Sequence, residues 1–493
     1  MYLRSSHKNI QQHSGFMLVG VLVFMTVALV IITGITSAAV TNIKYAMHVE
    51  QREQAIHLAE AGIEYYRWHL AHAPQDFKNG QPATSTGPYY VSFYDKTAVL
   101  FGDIELTITP PVVGSTIVTI RSKGTLAGST TSRTIETRLA IPSLAKFAVV
   151  ANDVMRFGEG TKVFGPLHSN DGIRFDGLAH NAVTSSRDDY KDPDHSGNNE
   201  FGVHTHVNVP PASGVNITFR SAEAPPTNPV STRSDVFLAG RLFPVPAFDF
   251  TGLTTDLAQI KANAQSAGRY ISSSGSSGYR IVLKTDDTFD VYRLTSLQAA
   301  PNNCTNVNNQ DEWGTWSVRT NGTGQVFVAN YPIPANGLVF VEDNIWVEGT
   351  INSARITIAA GRFPNTSNRH ITINNDLRYT NYDGRDVIAL IAQGNVNVGL
   401  YSEDDLRIDA ALVAQNGRAG RYYYQSACGS NRIRSVLTLF GMIATNGRYG
   451  FAYTDGTGYG TRSINYDGNL LYGPPPSFPL TSDQYTTISW EEI

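Results

Sequence analysis

The sequence FMLVGVLVFMTVALVIITGITSAAV occupies residues 16–40 and contains no charged side chain. About 20 consecutive apolar residues cross a bilayer as a helix, because a helix satisfies its own backbone hydrogen bonds in lipid. A buried core helix is the alternative, but a core helix of this length normally carries a polar face. The preceding flank contains Arg4 and Lys8 and no acidic residue, which predicts that it stays cytoplasmic. We therefore expect a single-pass membrane protein with a cytoplasmic N-terminus, whose remaining chain is exported.

The helical pattern continues beyond the apolar stretch to about residue 73. Ala55, Ala59, Gly62, Tyr66 and Leu70 recur at spacings of three and four, which places them on one face of a helix. The pattern predicts one long helix over residues 16–73, apolar in its first part and amphipathic in its second. The apolar stretch is longer than the roughly 7–15 residues of a cleaved secretory signal, so it is expected to remain in the mature protein.

Two short motifs accompany this helix. Residues 1–15 form a basic leader that ends in Gly15, Phe16 opens the apolar stretch, and residues 58–62 read LAEAG. The combination resembles the class III signal of type IV prepilins, and the LAEAG run is similar to that of PilX-type minor pilins. The resemblance covers residues 1 to about 72. It implies a location in the inner (cytoplasmic) membrane and cleavage between Gly15 and Phe16 by a prepilin peptidase. It also implies other pilins or minor pilins and the inner-membrane assembly platform as partners.

One position departs from the family pattern. Major pilins carry a glutamate five residues into the mature chain, where this chain has Gly20. In the family, that carboxylate neutralises the amino group of a neighbouring subunit, since an unpaired charge in lipid is unfavourable. The resemblance therefore implies a minor subunit, used rarely or at a filament tip. The residues expected to serve assembly are Gly20, Ala55, Ala59, Gly62 and Tyr66.

After a connector rich in Pro, Gly, Ser and Thr, the pattern becomes that of β-strands. Residues 89–141 contain alternating runs such as IVTIR, which predict a small antiparallel sheet. From residue 147 onward, short apolar runs are each followed by Gly, Asn or Asp, as a parallel β-helix requires. We expect its first rungs in residues 147–185, an insertion with one helical stretch in 186–335, and further rungs in 336–493. The predicted fold class is α+β and mostly β; a β-sandwich is the alternative.

Residues 336–417 also resemble a C-terminal domain that often accompanies PilX-like N-termini. The similar stretches include GLVFVE at 337–342, WVEGT at 346–350 and DVIALIAQ at 386–393, together with GPLHSN at 165–170. This resemblance brings no catalytic residue with it.

Composition sets weaker limits on function. Charged residues make up 16% of the chain, below the roughly 25% of an ordinary soluble protein. A net charge of −4 gives no basic face for nucleic acid. Two cysteines are too few for a cysteine zinc site. Because an exported domain meets an oxidising compartment, Cys304 and Cys428 can pair in a disulfide bond.

The histidines and acidic residues match no catalytic or metal-binding motif. His204 and His206 would share one face of a strand, with His195 nearby in sequence, which suits a metal; a structural role is the commoner one for such residues. Acidic runs at 188–194 and 403–405 offer oxygen ligands for calcium, but neither matches an EF-hand loop. We therefore predict no catalytic residue, no cofactor and no metal, and we expect the protein not to be an enzyme.

The favoured function is that of a pilin-like minor component of a type IV pilus or related filament or secretion system. Such a component primes assembly or displays a β-rich adhesive domain at the tip. The alternative is an inner-membrane-anchored structural or adhesive module of the envelope that never enters a filament. Polysaccharide-acting enzymes also use β-helices, so an enzyme is the third class, although one sequence cannot show which carboxylates converge.

Overall fold

The structure is a computed structural model that describes nine stretches of the chain. They are residues 14–112, 114–208, 219–250, 252–310, 313–314, 317–319, 322–364, 367–481 and 484–493. Most of the predicted leader, including Arg4 and Lys8, lies outside the described residues. The chain forms two compact units. The helix–sheet unit comprises residues up to 110 with 118–139 and 487–493, and the β-rich unit comprises residues 111–117 and 140–486.

The helix–sheet unit consists of one long helix and a five-stranded sheet. Its elements are α1 (Ser14–His72), β1 (Tyr89–Tyr94), β2 (Leu100–Thr109), β3 (Val118–Leu126), β4 (Ser132–Ala140) and the C-terminal strand (Thr486–Glu492). Strands β1 to β4 pair antiparallel in sequence order. Their bounds agree with the antiparallel sheet predicted for residues 89–141.

The C-terminal strand corrects the predicted domain boundary. The sequence pattern predicts that residues 336–493 belong to the β-rich domain, whereas this strand lies beside β4 in the sheet of the helix–sheet unit. The Thr137 hydroxyl donates a hydrogen bond to the Ser489 carbonyl oxygen at 2.7 Å, and the Ile493 N–H donates to the Thr134 carbonyl at 3.0 Å. The partner of a strand is set by tertiary packing, so the sequence of this short strand did not reveal its sheet.

The β-rich unit contains many short strands and one helix. In chain order they are β5 (Val149–Ala151), β6 (Met155–Phe157), β7 (Thr161–Phe164), β8 (Leu167–Ser169), β9 (Ile173–Phe175), β10 (Leu178–Ala179), β11 (Val183–Ser185), β12 (Asp189–Tyr190), β13 (Glu200–Phe201), β14 (Val203–His204), β15 (Arg241–Leu242), α2 (Gly252–Ala267), β16 (Arg269–Ile271), β17 (Gly278–Leu283), β18 (Thr288–Leu294), β19 (Gln325–Pro332), β20 (Leu338–Val341), β21 (Ile345–Ile351), β22 (Arg355–Ala360), β23 (Ile371–Thr372), β24 (Leu377–Tyr379), β25 (Val387–Ala392), β26 (Val396–Val398), β27 (Asp405–Ala414), β28 (Ala419–Arg421), β29 (Ile433–Thr445) and β30 (Gly458–Tyr466). Short 3₁₀ helices occur at Ser221–Glu223, Ser426–Cys428, Ser430–Arg432 and Gly468–Leu471.

Most of these strands pair in parallel and build three ladders. The first ladder runs β16-β20-β22-β25-β27-β29-β5-β8-β11-β15. The second runs β17-β21-β23-β26-β28. The third runs β21-β24-β27-β29-β30-β7-β10. The large unit is therefore mostly β with parallel sheets, as the sequence predicted.

A continuous aliphatic stack runs through the first ladder. One fully buried residue from each of eight strands lies in register with the next along the ladder: Val339, Ile358, Leu390, Leu412, Ile443, Val149, Leu167 and Val183. Burying one such side chain contributes roughly 1.5–3 kcal/mol of hydrophobic free energy. The alternate residues of these strands are also buried, and α2 covers part of that second face with Leu257, Ile260 and Ala264.

The order of the stack differs from the predicted order of rungs. Sequence analysis placed the first rungs in residues 147–185, but β5 pairs with β29, so these strands follow residue 445 in the stack. The edge of β20 is paired instead with β16, which belongs to the predicted insertion at 186–335. Strands β15 and β17 of that segment also extend the ladders. The apolar pattern indicates where the strands are, but it does not indicate which strand each one pairs with.

Two smaller sets of strands lie outside the three ladders. Strands β6, β9 and β14 pair in parallel, and β12 and β13 form a two-stranded antiparallel pair. Strands β12, β13 and β14 contain only two residues each. They bring the histidines and carboxylates of residues 192–206 together.

Candidate functional site

The first candidate site is the exposed apolar half of α1. Gly15 lies in the first turn of the helix and Phe16 is 85% exposed. The helix is long and apolar enough to cross a membrane, and its apolar stretch is not buried in the chain. A Cβ atom on Gly20 would have no heavy-atom neighbour within 4 Å among the described residues. This half of α1 is therefore available to lipid or to other helices.

The second half of α1 packs on β2 and β3. Ala55, Ala59, Gly62 and Tyr66, the face identified in the sequence, are buried. A Cβ atom on Gly62 would overlap the Ser122 Oγ atom, because the helix and sheet approach closely at this point. These residues pack the helix onto its own sheet, and their part in assembly stays a prediction.

A disulfide bond joins Cys304 and Cys428 across 124 residues of sequence. Both cysteines are buried beside Leu400, Tyr422 and Tyr424. The bond ties the segment between β18 and β19 to the segment after β28. The predicted pair is therefore close in space, although the residues are far apart in the chain.

The second candidate site is a buried cluster of three histidines and two carboxylates. The Glu200 carboxylate lies at its centre, because its oxygen atoms are 2.7 Å from His195 Nε2, 3.2 Å from His204 Nε2 and 2.8 Å from His206 Nε2. Asp192 Oδ2 lies 3.4 Å from His195 Nε2 and 3.6 Å from His204 Nε2. The five side chains are at most 4% exposed.

Backbone carbonyls orient two of these imidazole rings. The Nδ1 atom of His195 lies 3.1 Å from the Ser196 carbonyl oxygen, and Nδ1 of His204 lies 3.2 Å from the Phe201 carbonyl oxygen. A carbonyl oxygen can only accept a hydrogen bond, so the proton of each ring is placed on Nδ1. In the neutral tautomer, the Nε2 lone pairs of both rings therefore face the carboxylates.

Arginines surround the cluster on one side. Arg174 Nε donates to Asp176 Oδ2 at 2.7 Å, and Arg174 Nη1 lies 3.5 Å from Asp192 Oδ2. Asp194 pairs with Arg156 at 3.1 Å and also with Arg448. Within the acidic run at 188–194, Asp194 therefore forms ion pairs with arginines, whereas Asp192 faces the histidines of the cluster.

The electrostatics of the cluster favour charged carboxylates. Burial acts to raise the pKa of Asp192 and of Glu200, but the facing histidines outweigh it and hold both pKa values well below the ordinary range. Burial acts to lower the pKa of His204, but the Asp192 and Glu200 carboxylates raise it to about 9. The cluster therefore attracts positive charge, either a proton or a cation.

Only part of this cluster is evident in the sequence. His204, His206 and His195 stand out there, but the prediction includes no metal ligand and gives no role to Glu200. The useful signal was a histidine pair two residues apart with a glutamate four residues before the first histidine. The second acidic run behaves differently: Asp404 Oδ1 accepts the Ser435 N–H at 3.1 Å, which is an ordinary loop contact.

Comparison with known proteins adds little to this description. No protein-family model matches the chain, and no curated protein matches it. Among solved structures, the chain is similar to the competence-associated pilin ComZ from Thermus thermophilus, with 13% identity and a TM-score of 0.29. The match covers 90% of this chain and 97% of that chain. A TM-score this low does not establish a shared fold, so the function is inferred from the residues of the chain itself.

Proposed function

We propose that this chain is a pilin-like minor subunit of a type IV pilus or related filament, which displays its β-rich unit outside the membrane. The observation that carries the proposal is α1, a 59-residue helix whose first half is apolar and exposed and whose second half docks on a sheet with antiparallel strands. The proposal includes no catalytic activity.

The exposed half of α1 requires an apolar environment. Its large side chains, such as Phe16, Phe24 and Ile31, are more than half exposed, and leaving them in water costs roughly 25 cal/mol for each Å² of apolar surface. Lipid covers them before assembly, and neighbouring helices would cover them inside a filament. Gly20 and Gly34 leave room for close contact between helices. The helix is therefore suited to both environments of a pilin-like subunit, the lipid bilayer and the interior of a filament.

For the β-rich unit we propose that the three parallel ladders are the faces of one β-helix. Strands β27 and β29 are long enough to take part in two ladders each, which is expected where the chain turns from one face to the next. The in-register aliphatic stack supplies the interior that such a coil requires. A unit of this size would crowd a thin fibre if every subunit carried it, which supports a low copy number.

Processing is the first test of the proposal. The basic leader and the glycine before Phe16 support cleavage between Gly15 and Phe16 by a prepilin peptidase. N-terminal sequencing of the mature protein should begin at Phe16, and a Gly15→Leu variant should retain the leader. A Gly20→Leu variant is the matched control and should still be cleaved. A mature protein that starts at any other residue contradicts the proposed processing.

Filament location is the second test. Since Gly20 offers no carboxylate to the amino group of a neighbouring subunit, stacking of many copies is unfavourable. The protein should therefore appear in shear-released filaments at low copy, with immunogold labelling near the tips. Labelling along the whole filament contradicts the minor role. If the protein remains entirely with the membranes, the envelope-anchored module is the correct interpretation.

A further inference from the structure

The buried histidine–carboxylate cluster of the β-rich unit has the composition of a metal site. We propose that Asp192, His195, Glu200 and His206 bind one divalent transition-metal ion, and that Zn²⁺ is the ion whose chemistry fits best. One ligand atom from each of these four side chains lies within 4.8 Å of the others. The proposal is independent of the pilin-like function, because it concerns residues of the β-rich unit alone.

The orientation of the imidazole rings is the first supporting observation. His195 and His204 each donate Nδ1–H to a backbone carbonyl, which leaves Nε2 facing carboxylate oxygens. An Nε2 lone pair beside a carboxylate is repulsive unless a proton or a cation lies between them. Metal-binding histidines characteristically donate the other ring N–H to a backbone carbonyl or carboxylate, which fixes the ring.

The distances between the ligand atoms are the second observation. Two ligands bound 2.0–2.2 Å from a tetrahedral ion lie about 3.3–3.5 Å apart. The His–carboxylate separations of the proposed ligands are 2.7, 2.8 and 3.4 Å. Small rotations of the His195 and His206 rings would therefore open enough space for an ion between the four side chains.

The poor hydrogen-bond geometry of two buried atoms is the third observation. Asp192 Oδ2 and His204 Nε2 have charged neighbours at 3.2–3.6 Å but make no well-aligned hydrogen bond within the described part of the chain. A buried polar atom without a good hydrogen bond costs about 1–3 kcal/mol, and a bound water or ion commonly supplies the missing interaction. An ion among the carboxylates would satisfy Asp192 directly and would place His204 beside it as a further nitrogen ligand.

The donor set selects the class of ion. Ca²⁺ and Mg²⁺ prefer oxygen ligands throughout, whereas imidazole nitrogen suits Zn²⁺, Cu²⁺, Ni²⁺ and Fe²⁺. Two histidines and two carboxylates around a centre, with His204 adjacent, suit Zn²⁺ in four- or five-coordinate geometry. The two carboxylates would also neutralise the charge of a divalent ion.

The enclosure of the cluster indicates a structural ion. A catalytic zinc keeps a position open to water and substrate, whereas a structural zinc is closed by protein ligands. The side chains here are almost wholly buried. The segment that carries them is held by two-residue strands, β12, β13 and β14, so it has few backbone hydrogen bonds of its own. An ion would cross-link residues 192–206 to one another and hold this segment in one conformation.

Metal content of the full-length protein is the deciding measurement. The protein is purified in detergent with a tag that contains no histidine, incubated with Zn²⁺, desalted and assayed by mass spectrometry for metals. We expect about one Zn²⁺ per chain. After chelation, Co²⁺ should restore binding at one equivalent and give the visible absorption bands of a nitrogen–oxygen site. No retained Zn²⁺ and no saturable Co²⁺ spectrum would overturn the proposal in favour of a protonated ion-pair network.

Variants locate the ion. Glu200→Gln and His206→Gln should each weaken Zn²⁺ binding by at least about 100-fold, since loss of even an outer-shell partner costs about 10–100-fold. His168→Gln is the matched control, because His168 is a buried histidine outside the cluster. Unchanged affinity in both cluster variants overturns the assignment.

Cluster variants can fail to fold, so the wild-type protein provides a second readout. Chelation should lower its Tm, and Zn²⁺ but not Mg²⁺ should restore it. Hydrogen exchange should accelerate in residues 189–206 of the chelated protein and recover with Zn²⁺. A Tm and an exchange pattern that are insensitive to both chelator and Zn²⁺ contradict a structural ion.

Discussion

Single glycine positions decide how closely α1 approaches its sheet. Gly62 on the helix faces Ser122, and Gly124 on β3 faces the helix backbone near Ala55 and Ala59. Any side chain at these positions would meet backbone or branched side-chain atoms that have little room to move. The missing Cβ atoms therefore set the distance between the two elements.

Replacing Gly62 by alanine should destabilise the helix–sheet unit. Alanine gains about 1 kcal/mol over glycine in a helix, but overpacking typically costs about 1–3 kcal/mol, and the added Cβ would overlap Ser122 Oγ and come within 2.6 Å of Ile104 Cγ2. Limited proteolysis of the sheet in detergent measures the effect. Gly34→Ala is the control, since a Cβ there has open space. Equal protease resistance in the two variants would show that the helix is not docked as described.

A buried histidine in the ladders predicts a pH dependence of stability. The Nδ1 atom of His370 accepts the Asn395 N–H at 2.9 Å, and burial, with a smaller contribution from the Arg369 charge, lowers the pKa of His370 to about 4. Since the unfolded pKa is about 6.5, the unfolded chain binds the proton first. As pH falls from about 6.5 toward 4, preferential protonation of the unfolded chain therefore lowers the stability of the folded protein by up to about 3 kcal/mol.

The measurement compares urea unfolding of the wild type and His370→Asn between pH 7 and pH 4. Asparagine keeps an acceptor for the Asn395 N–H but does not titrate. The wild type should lose stability more steeply than the variant, whereas carboxylates titrate equally in both. Parallel pH profiles would mean that His370 does not remain neutral in the folded protein.

At the scale of the element, the disulfide closes a covalent loop within the β-rich unit. Changing Cys304 and Cys428 together to alanine should lower the free energy of unfolding by about 4–5 kcal/mol, because the chain-entropy model gives that value for a loop of 124 residues. Urea unfolding of the purified, unreduced protein measures the loss. The wild type treated with reductant should resemble the double variant, and maleimide should label neither thiol in the denatured, unreduced wild type.

Elements whose signal is local could be predicted from the sequence. The long helix, its buried face with Ala55 and Ala59, the antiparallel strands and the short parallel strands follow from apolar periodicity. The C-terminal strand and the position of β5 could not be predicted, because strand partners depend on contacts distant in sequence. The cluster shows the same limit: His204 and His206 are visible as a pair, but only folding brings Glu200 and Asp192 to them.

At the scale of the whole molecule, the exposed apolar half of α1 should determine whether the protein is soluble in water. A chain that begins at residue 41 lacks the exposed apolar stretch and keeps the docking half of the helix. It should remain in aqueous solution without detergent, whereas the full chain should partition into detergent or lipid. Flotation with vesicles checks this expectation. A chain that begins at residue 67 loses Ala55, Ala59 and Gly62, leaves the sheet uncovered and should aggregate. Soluble behaviour of the full chain contradicts a membrane-spanning α1.

The C-terminal strand gives the helix–sheet unit a mechanical property. Apart from the loop of residues 111–117, the chain leaves this unit after β4 and returns in a strand that lies beside β4 in the same sheet. The main segment of the β-rich unit, residues 140–486, is therefore connected to the helix–sheet unit at both of its ends. One proteolytic nick in either connection would leave the other intact. In the filament subunit proposed above, one such break would leave the β-rich unit attached, whereas a domain joined by a single linker would be released.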